Sequence, residues 1–139
     1  MEYVTTLGDA FKVYDGARDG ALSYIDHAYD GDENTYLDLA TVDGGTQRTV
    51  TINLGAETTF DTITMLTGGL TWADLVSSCE IAYSTDGAEF ISLGSYAEET
   101  GSYSIALETA VTAKYIRITV GGTGWATIRE IAVSTAAAE

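Results

Sequence analysis

Asp30-Gly31-Asp32-Glu33-Asn34-Thr35 is the stretch of this chain whose residue types come closest to chemistry. Two carboxylates two positions apart, a glycine between them and a threonine shortly after make a tight loop of hard oxygen donors. Calcium is held by such oxygens, about 6–8 of them at roughly 2.3–2.6 Å. A solvated acidic turn uses the same residues, because Asp-Gly is also ordinary turn chemistry. The distant segment Ile128-Arg129-Glu130-Ile131-Ala132-Val133 favours the metal, since a carboxylate inside an apolar strand needs a partner. A calcium ion joining the two ends of the chain supplies one.

A second kind of chemistry is that of flat, half-polar surfaces. The two tryptophans lie in Gly/Thr-rich segments between strands, Thr67-Gly68-Gly69-Leu70-Thr71-Trp72-Ala73-Asp74 and Gly121-Gly122-Thr123-Gly124-Trp125. A tryptophan among glycines in a loop is more exposed than one inside a strand. Asp74, next to Trp72, can accept two hydroxyl hydrogens, and Tyr36, Asp38, Asp43 and Arg48 follow the acidic loop. An exposed ring with a few planar polar groups suits the C–H face and hydroxyl fringe of a sugar. The alternative for each tryptophan is a plug at one end of the fold, and for each polar residue plain solvation.

Charge narrows the partners. Twenty-one acidic residues oppose six basic ones, a formal charge of −15. Nucleic-acid binding draws its affinity from lysine and arginine on phosphates, and this chain cannot supply them. Anionic membrane surfaces and highly charged polysaccharides are disfavoured for the same reason. A neutral ligand or a cation fits. Cys79 is the single cysteine, so no internal disulfide forms, and its alternation with Ile81 and Tyr83 turns it towards the core. The sole histidine, His27, is far from it in sequence, which argues against a cysteine–histidine enzyme. No G-x-S-x-G, H-E-x-x-H or phosphate-cradling glycine loop is present, so no enzymatic activity is expected.

The elements that must position these residues are strands. At 139 residues with 45% hydrophobic content, the chain is long enough for one domain with an ordinary core. Thr49-Val50-Thr51-Ile52-Asn53-Leu54 alternates and stops at Gly55; Ile63 and Met65 then face opposite to Thr62 and Thr64. Cys79-Glu80-Ile81-Ala82-Tyr83-Ser84 runs into Asp86-Gly87 and is followed by Phe90-Ile91-Ser92-Leu93, a hairpin signal. Tyr103, Ile105 and Leu107 alternate, as does Lys114-Tyr115-Ile116-Arg117-Ile118-Thr119-Val120, and Ile128 to Val133 closes the set. Short helices are expected only around 24–29 and 72–77. This pattern predicts an all-β, antiparallel β-sandwich or jelly roll. No apolar run approaches the ~20 residues of a membrane span. The first residues lack the features of a secretory leader, so a module of a larger protein or an intracellular protein is expected, with residues 1–135 as the domain and 136–139 as a tail.

The motifs, taken in order, carry a resemblance. Ala28-Tyr29-Asp30-Gly31-Asp32-Glu33-Asn34-Thr35-Tyr36 resembles the A-x-D-G-D-x-x-T-x-aromatic signature of discoidin-like domains, also called coagulation factor type C domains, which include the family 32 carbohydrate-binding modules. Val50-Thr51-Ile52-Asn53-Leu54-Gly55, Tyr83-Ser84-Thr85-Asp86-Gly87-Ala88-Glu89-Phe90, Lys114-Tyr115-Ile116-Arg117 and Ile128-Arg129-Glu130-Ile131 resemble further pieces of that family, in register. Phe11 to Gly16 and Trp125 to Glu130 are similar to modules attached to bacterial enzymes that trim host glycans.

The resemblance implies a galactose-binding-domain-like sandwich with a structural calcium ion. Side chains of Asp30, Thr35 and Glu130, backbone carbonyls of His27, Thr35 and Arg129, and Asp32 through its side chain or backbone are the implied ligands. Hard oxygen donors prefer calcium over zinc, and magnesium's tight octahedron fits poorly. It also implies a non-catalytic module that binds a neutral glycan containing galactose or N-acetylhexosamine. Trp125, Trp72, Asp74, Tyr36 and Asp38 are the candidate contacts. Where the family carries an asparagine before this aromatic the chain has Gly124, which removes one hydrogen-bonding group. The implied setting is extracellular or at a bacterial cell surface, as a monomeric unit of a larger secreted enzyme. An adhesion or protein-recognition domain, or a structural spacer, is the alternative.

Overall fold

A computed structural model describes residues 4–14, 17–18, 21–22, 28–29, 35–68, 75–122 and 124–135. Among the described residues run ten strands: β1 Val4–Leu7, β2 Phe11–Val13, β3 Ala17–Arg18, β4 Ala21–Leu22, β5 Leu37–Thr41, β6 Thr49–Thr67, β7 Ser78–Ser84, β8 Ile91–Ala97, β9 Ser102–Val120 and β10 Ala126–Ser134. Every pairing is antiparallel. The main sheet has the order β2-β5-β10-β6-β9-β7-β8, with β1 also on β6, while β3 and β4 form a small separate ribbon.

Strands β6 and β9, 19 residues each, form the spine. Their ladder breaks twice, between Asn53 and Thr58 and between Phe60 and Thr62 of β6. Bulges of this kind bend a strand and let it pass from one layer to the other. The register accordingly divides the molecule. The first half of β6 and the last half of β9 join β1, β7 and β8. The last half of β6 and the first half of β9 join β10, β5 and β2.

The buried set shows the same break. Val50, Ile52 and Leu54 face the core at even positions, Ile63 and Met65 at odd ones. A bulge must intervene, since a one-residue shift turns every side chain to the opposite face. The stop expected at Gly55 is therefore a bend within one strand. Gly55 takes φ 87°, a conformation that favours glycine, and its N–H donates to Asn53 Oδ1 at 2.9 Å.

The expected hairpin forms between β7 and β8. Ser84 Oγ accepts the Gly87 N–H at 2.9 Å, and Asp86 Oδ1 accepts the Ala88 N–H at 2.8 Å and the Glu89 N–H at 3.1 Å. These bonds hold the Asp86 carboxyl below the usual carboxylate range. Of the expected helices, residues 28–29 lie in a single 3₁₀ turn and 75–77 are irregular; the other positions fall outside the described residues.

Between the layers, Phe60, Ile63, Met65, Ile81, Ile116, Ile118, Ile128 and Ile131 make one core. Cys79 is buried with them, as its alternation predicts, and burial pushes its thiol up to about 11. It stays protonated at neutral pH and is no nucleophile.

Candidate functional site

Trp125 sits at the turn from β9 into β10, immediately before Ala126. The loop ahead of it is held by one side chain. Arg48 Nε donates to the Val120 carbonyl at 3.3 Å, and Nη2 donates to the carbonyls of Gly121 at 3.3 Å and Gly124 at 2.9 Å. The Val120 N–H donates back to the Arg48 carbonyl at 2.8 Å. The guanidinium lies 4.8 Å from the ring centroid of buried Phe11, so a cation–π contact fixes its other side.

The indole is half-buried. Its ring centroid lies 5.1 Å from that of Tyr14 at 46°, a tilted pair within the favoured range. Tyr14 is tied in turn to β5, its N–H donating to the Asp38 carbonyl at 2.7 Å. Arg48 also lines, with Thr41, Val42 and Asp43, a hollow of about 250 Å³. The turn at its rim closes by the Gly45 N–H donating to the Val42 carbonyl at 3.1 Å, with Gly44 at φ 83°. A part-exposed indole beside a phenol offers an apolar ring surface with a polar edge.

Two expected contacts are corrected. Tyr36 and Asp38 are fully buried and cannot meet a ligand at the surface. Strand β5 is covered on both faces, from Tyr36 through Ala40, so the polar alternation in the sequence does not mark a solvent side. Asp38 stands opposite Thr127 in the ladder and accepts that hydroxyl's proton at 3.0 Å, an internal tie between β5 and β10. Trp72 and Asp74 lie outside the described residues.

The candidate cation loop is described in part. Ladder partners Leu37 with Ile128 and Asp38 with Thr127 fix β5 against β10, with Thr35 two residues before the first pair and Glu130 two residues after it. Both are half-buried. Strand β10 bulges between Ile128 and Glu130 along β6, leaving Arg129 with no partner in that ladder. Thr35 lies two residues before β5, and Arg129 and Glu130 lie at the bulge in β10, the strand that pairs with β5. Their hydroxyl, carbonyl and carboxylate oxygens are the hard donors calcium takes. His27, Asp30 and Asp32 lie outside the described residues, among which no three His, Cys, Asp or Glu side chains gather.

Sequence reasoning missed two parts of this end of the fold. The sequence places Arg48 only after the acidic loop, whereas its guanidinium holds the carbonyls of the loop before Trp125. Tyr14 was not seen as the neighbour of Trp125. The one signal for the second was the placing of Tyr14 and Trp125 in the two segments similar to modules attached to glycan-trimming enzymes; Arg48 had none.

Residues 16–131 match the model of the F5/8 type C domain family. Among solved structures, CBM32-1 from a family 31 glycoside hydrolase from Clostridium perfringens is similar at TM-score 0.73 and 16% identity, over 96% of this chain and 94% of that one. The C-terminal domain of a chitobiase from Bacteroides fragilis follows at TM-score 0.71 and 19% identity, over 94% and 91%. CpGH89CBM32-5 from Clostridium perfringens, in complex with GalNAc-beta-1,3-galactose, has TM-score 0.68 and 18% identity, over 96% and 94%. At these identities the likeness is one of fold, and it bears out the expected antiparallel β-sandwich. A comparison with curated proteins gives no significant match.

Proposed function

Because the chain belongs to the F5/8 type C domain family, we propose that it is a non-catalytic carbohydrate-binding module whose contact surface is the loop end around Trp125. The observation that carries this reading is the Trp125–Tyr14 pair on a loop anchored by Arg48. Binding a sugar on a shallow platform needs a ring fixed beforehand, because ordering it at the moment of binding costs affinity. The ligand class is a neutral glycan containing galactose or N-acetylhexosamine. GalNAc-beta-1,3-galactose in a structure of like fold supports the choice, and the charge of −15 disfavours polyanions.

The domain spans residues 1–135, with 136–139 as a tail, and serves as a monomeric unit of a larger bacterial protein, extracellular or at the cell surface, holding an attached enzyme near its substrate. Thr35, the Arg129 carbonyl and Glu130, together with His27, Asp30 and Asp32, are the residues that would hold a structural calcium ion. Its contribution is to tie the two ends of the chain together.

One stacking ring and a few hydrogen bonds give roughly millimolar to micromolar affinity. A glycan array with the isolated domain tests the class, and NMR titration with GalNAc-beta-1,3-galactose tests the site. Trp125→Ala is expected to abolish detectable binding with little loss of stability. If the indole is instead a plug, its removal lowers stability by about 3–5 kcal/mol through the cavity left behind. A folded Trp125→Ala domain with native affinity removes this residue from the site, and an array with no bound glycan favours the spacer reading.

A further inference from the structure

On the outer face of the layer built by β1, β6 and β9 lies a hollow of about 680 Å³, closed at one end by the β7–β8 turn. Neither Trp125 nor Tyr14 lines it. Its floor follows from strand alternation. With Ile116 and Ile118 turned into the core, Tyr115, Arg117 and Thr119 face outwards, opposite Asn53, Thr51 and Thr49 of β6. The Arg117 guanidinium lies 4.2 Å from the ring centroid of Phe90. Tyr115 packs on Gly87, where a Cβ would come within 3.1 Å of the ring.

The charge of this surface is out of keeping with the chain. Twenty-one carboxylates stand against six lysines and arginines, yet two of those six, Arg48 and Arg117, line the hollow and no aspartate or glutamate does. Glu80, opposite Thr119 in the β7 ladder, is the carboxylate on the adjoining strand. Arg48 commits Nε and Nη2 to loop carbonyls. Arg117 makes no ion pair among the described residues and rests only on the Phe90 ring. A half-buried guanidinium with uncommitted donors in a strongly acidic protein is placed to meet an anion from outside.

We propose that this hollow is a second binding site, separate from the Trp125 loop, for a sugar bearing a single carboxylate, with the carboxylate on Arg117, the ring against Tyr115 and Phe90, and hydroxyls on Thr49, Thr51 and Thr119. Guanidinium and carboxylate are planar and match two N–H donors to two oxygens. The aromatic rings offer C–H faces a partner. The overall charge of −15 repels polyanions, which restricts the ligand to an isolated acidic sugar in an otherwise neutral glycan.

The test is an NMR titration of the whole chain with glucuronate, and with glucose as the neutral counterpart. Glucuronate is expected to shift the amides of Thr51, Arg117 and Thr119, to leave the Trp125 indole N–H in place, and to bind more weakly as salt rises; glucose is expected to shift none of them. Arg117→Gln is expected to weaken glucuronate binding roughly ten- to hundredfold, the range for a hydrogen bond to a charged group. Should loss of the Phe90 contact unfold that variant, Arg117→Lys decides. It keeps the charge over the ring and loses the planar fork, so weaker binding with a native spectrum supports the site. Equal responses to both sugars, no response to glucuronate, shifts confined to Trp125, or native affinity in a folded Arg117 variant overturns the proposal.

Discussion

Arg48 Nη2 donates to the carbonyl of Gly124 at 2.9 Å across 76 positions of sequence, and Gly124 is the residue before Trp125. The contact makes the loop's shape depend on a side chain at the start of β6. Arg48→Ala removes three donor contacts and the Phe11 cation–π contact together. It is expected to lower stability by about 1–3 kcal/mol and to weaken glycan binding about tenfold through a disordered Trp125. Arg48→Lys, with a point charge in place of the fork, is expected to fall between. Denaturant melts and a GalNAc-beta-1,3-galactose titration measure both effects; an unchanged Trp125 indole resonance in Arg48→Ala would remove Arg48 from the argument.

If the proposed calcium ion is bound, its removal is expected to lower stability. A ligand bound only by the native state stabilises by mass action, about 3 kcal/mol at a hundredfold excess over Kd. For a domain of this size that is a Tm change on the order of 10 °C. Chelator is expected to lower the Tm of the wild type, Glu130→Ala and Asp30→Ala are expected to reproduce the fall, and chelator then does little more to either. A wild-type Tm that does not move, in protein shown metal-free by elemental analysis, sinks the calcium reading.

How much of this was legible differs by residue. Period-two alternation located the cores of β7, β9 and β10, and Asp86-Gly87 located the hairpin, because both signals are local. Gly55 was read as a strand end because alternation breaks there. The break is real, but β6 bends at that point and its bulges restore pairing with β9. A polar residue is expected at the surface, but Asp38 lies on an inner strand between β2 and β10, where the Thr127 hydroxyl pairs its carboxylate. The Arg48 brace joins segments more than 70 positions apart, and nothing in either segment names the other.

The burial of Asp38 carries its own prediction. Its carboxylate accepts the Thr127 hydroxyl proton inside the fold, and removing one partner of a buried polar pair leaves the other to bear the desolvation penalty. Asp38→Ala is expected to lower stability by roughly 1–3 kcal/mol. Glycan affinity measured where the variant remains folded is expected to stay native, since the side chain does not reach the surface. A stable Asp38→Ala domain that has lost binding would return Asp38 to the contact set.

Alkaline pH offers a test of the core itself. Burial pushes the Cys79 thiol from 9.0 up to about 11. Burial likewise pushes the Tyr103 phenol from 10.0 up to about 12, aided by neighbouring Cys79, while its hydroxyl donates to the Val76 carbonyl at 2.6 Å. Both groups keep their protons in the folded chain at a pH where the unfolded chain has lost them. The unfolded state then binds fewer protons, so stability falls as pH rises. The contribution is fully present below about pH 9 and is lost through about pH 11 for Cys79 and about pH 12 for Tyr103. Melting temperatures measured from pH 8 to 12 are expected to be level at first and then to decline. Cys79→Ala should flatten the part between pH 9 and 11 relative to wild type, and Tyr103→Phe the part above pH 10, at some cost at every pH from the lost hydrogen bond. The other charge changes at alkaline pH are shared by all three proteins, so the comparison isolates the two core groups. Parallel curves for wild type and Cys79→Ala across pH 9 to 11 would show that the thiol titrates no differently in the folded chain than in the unfolded one.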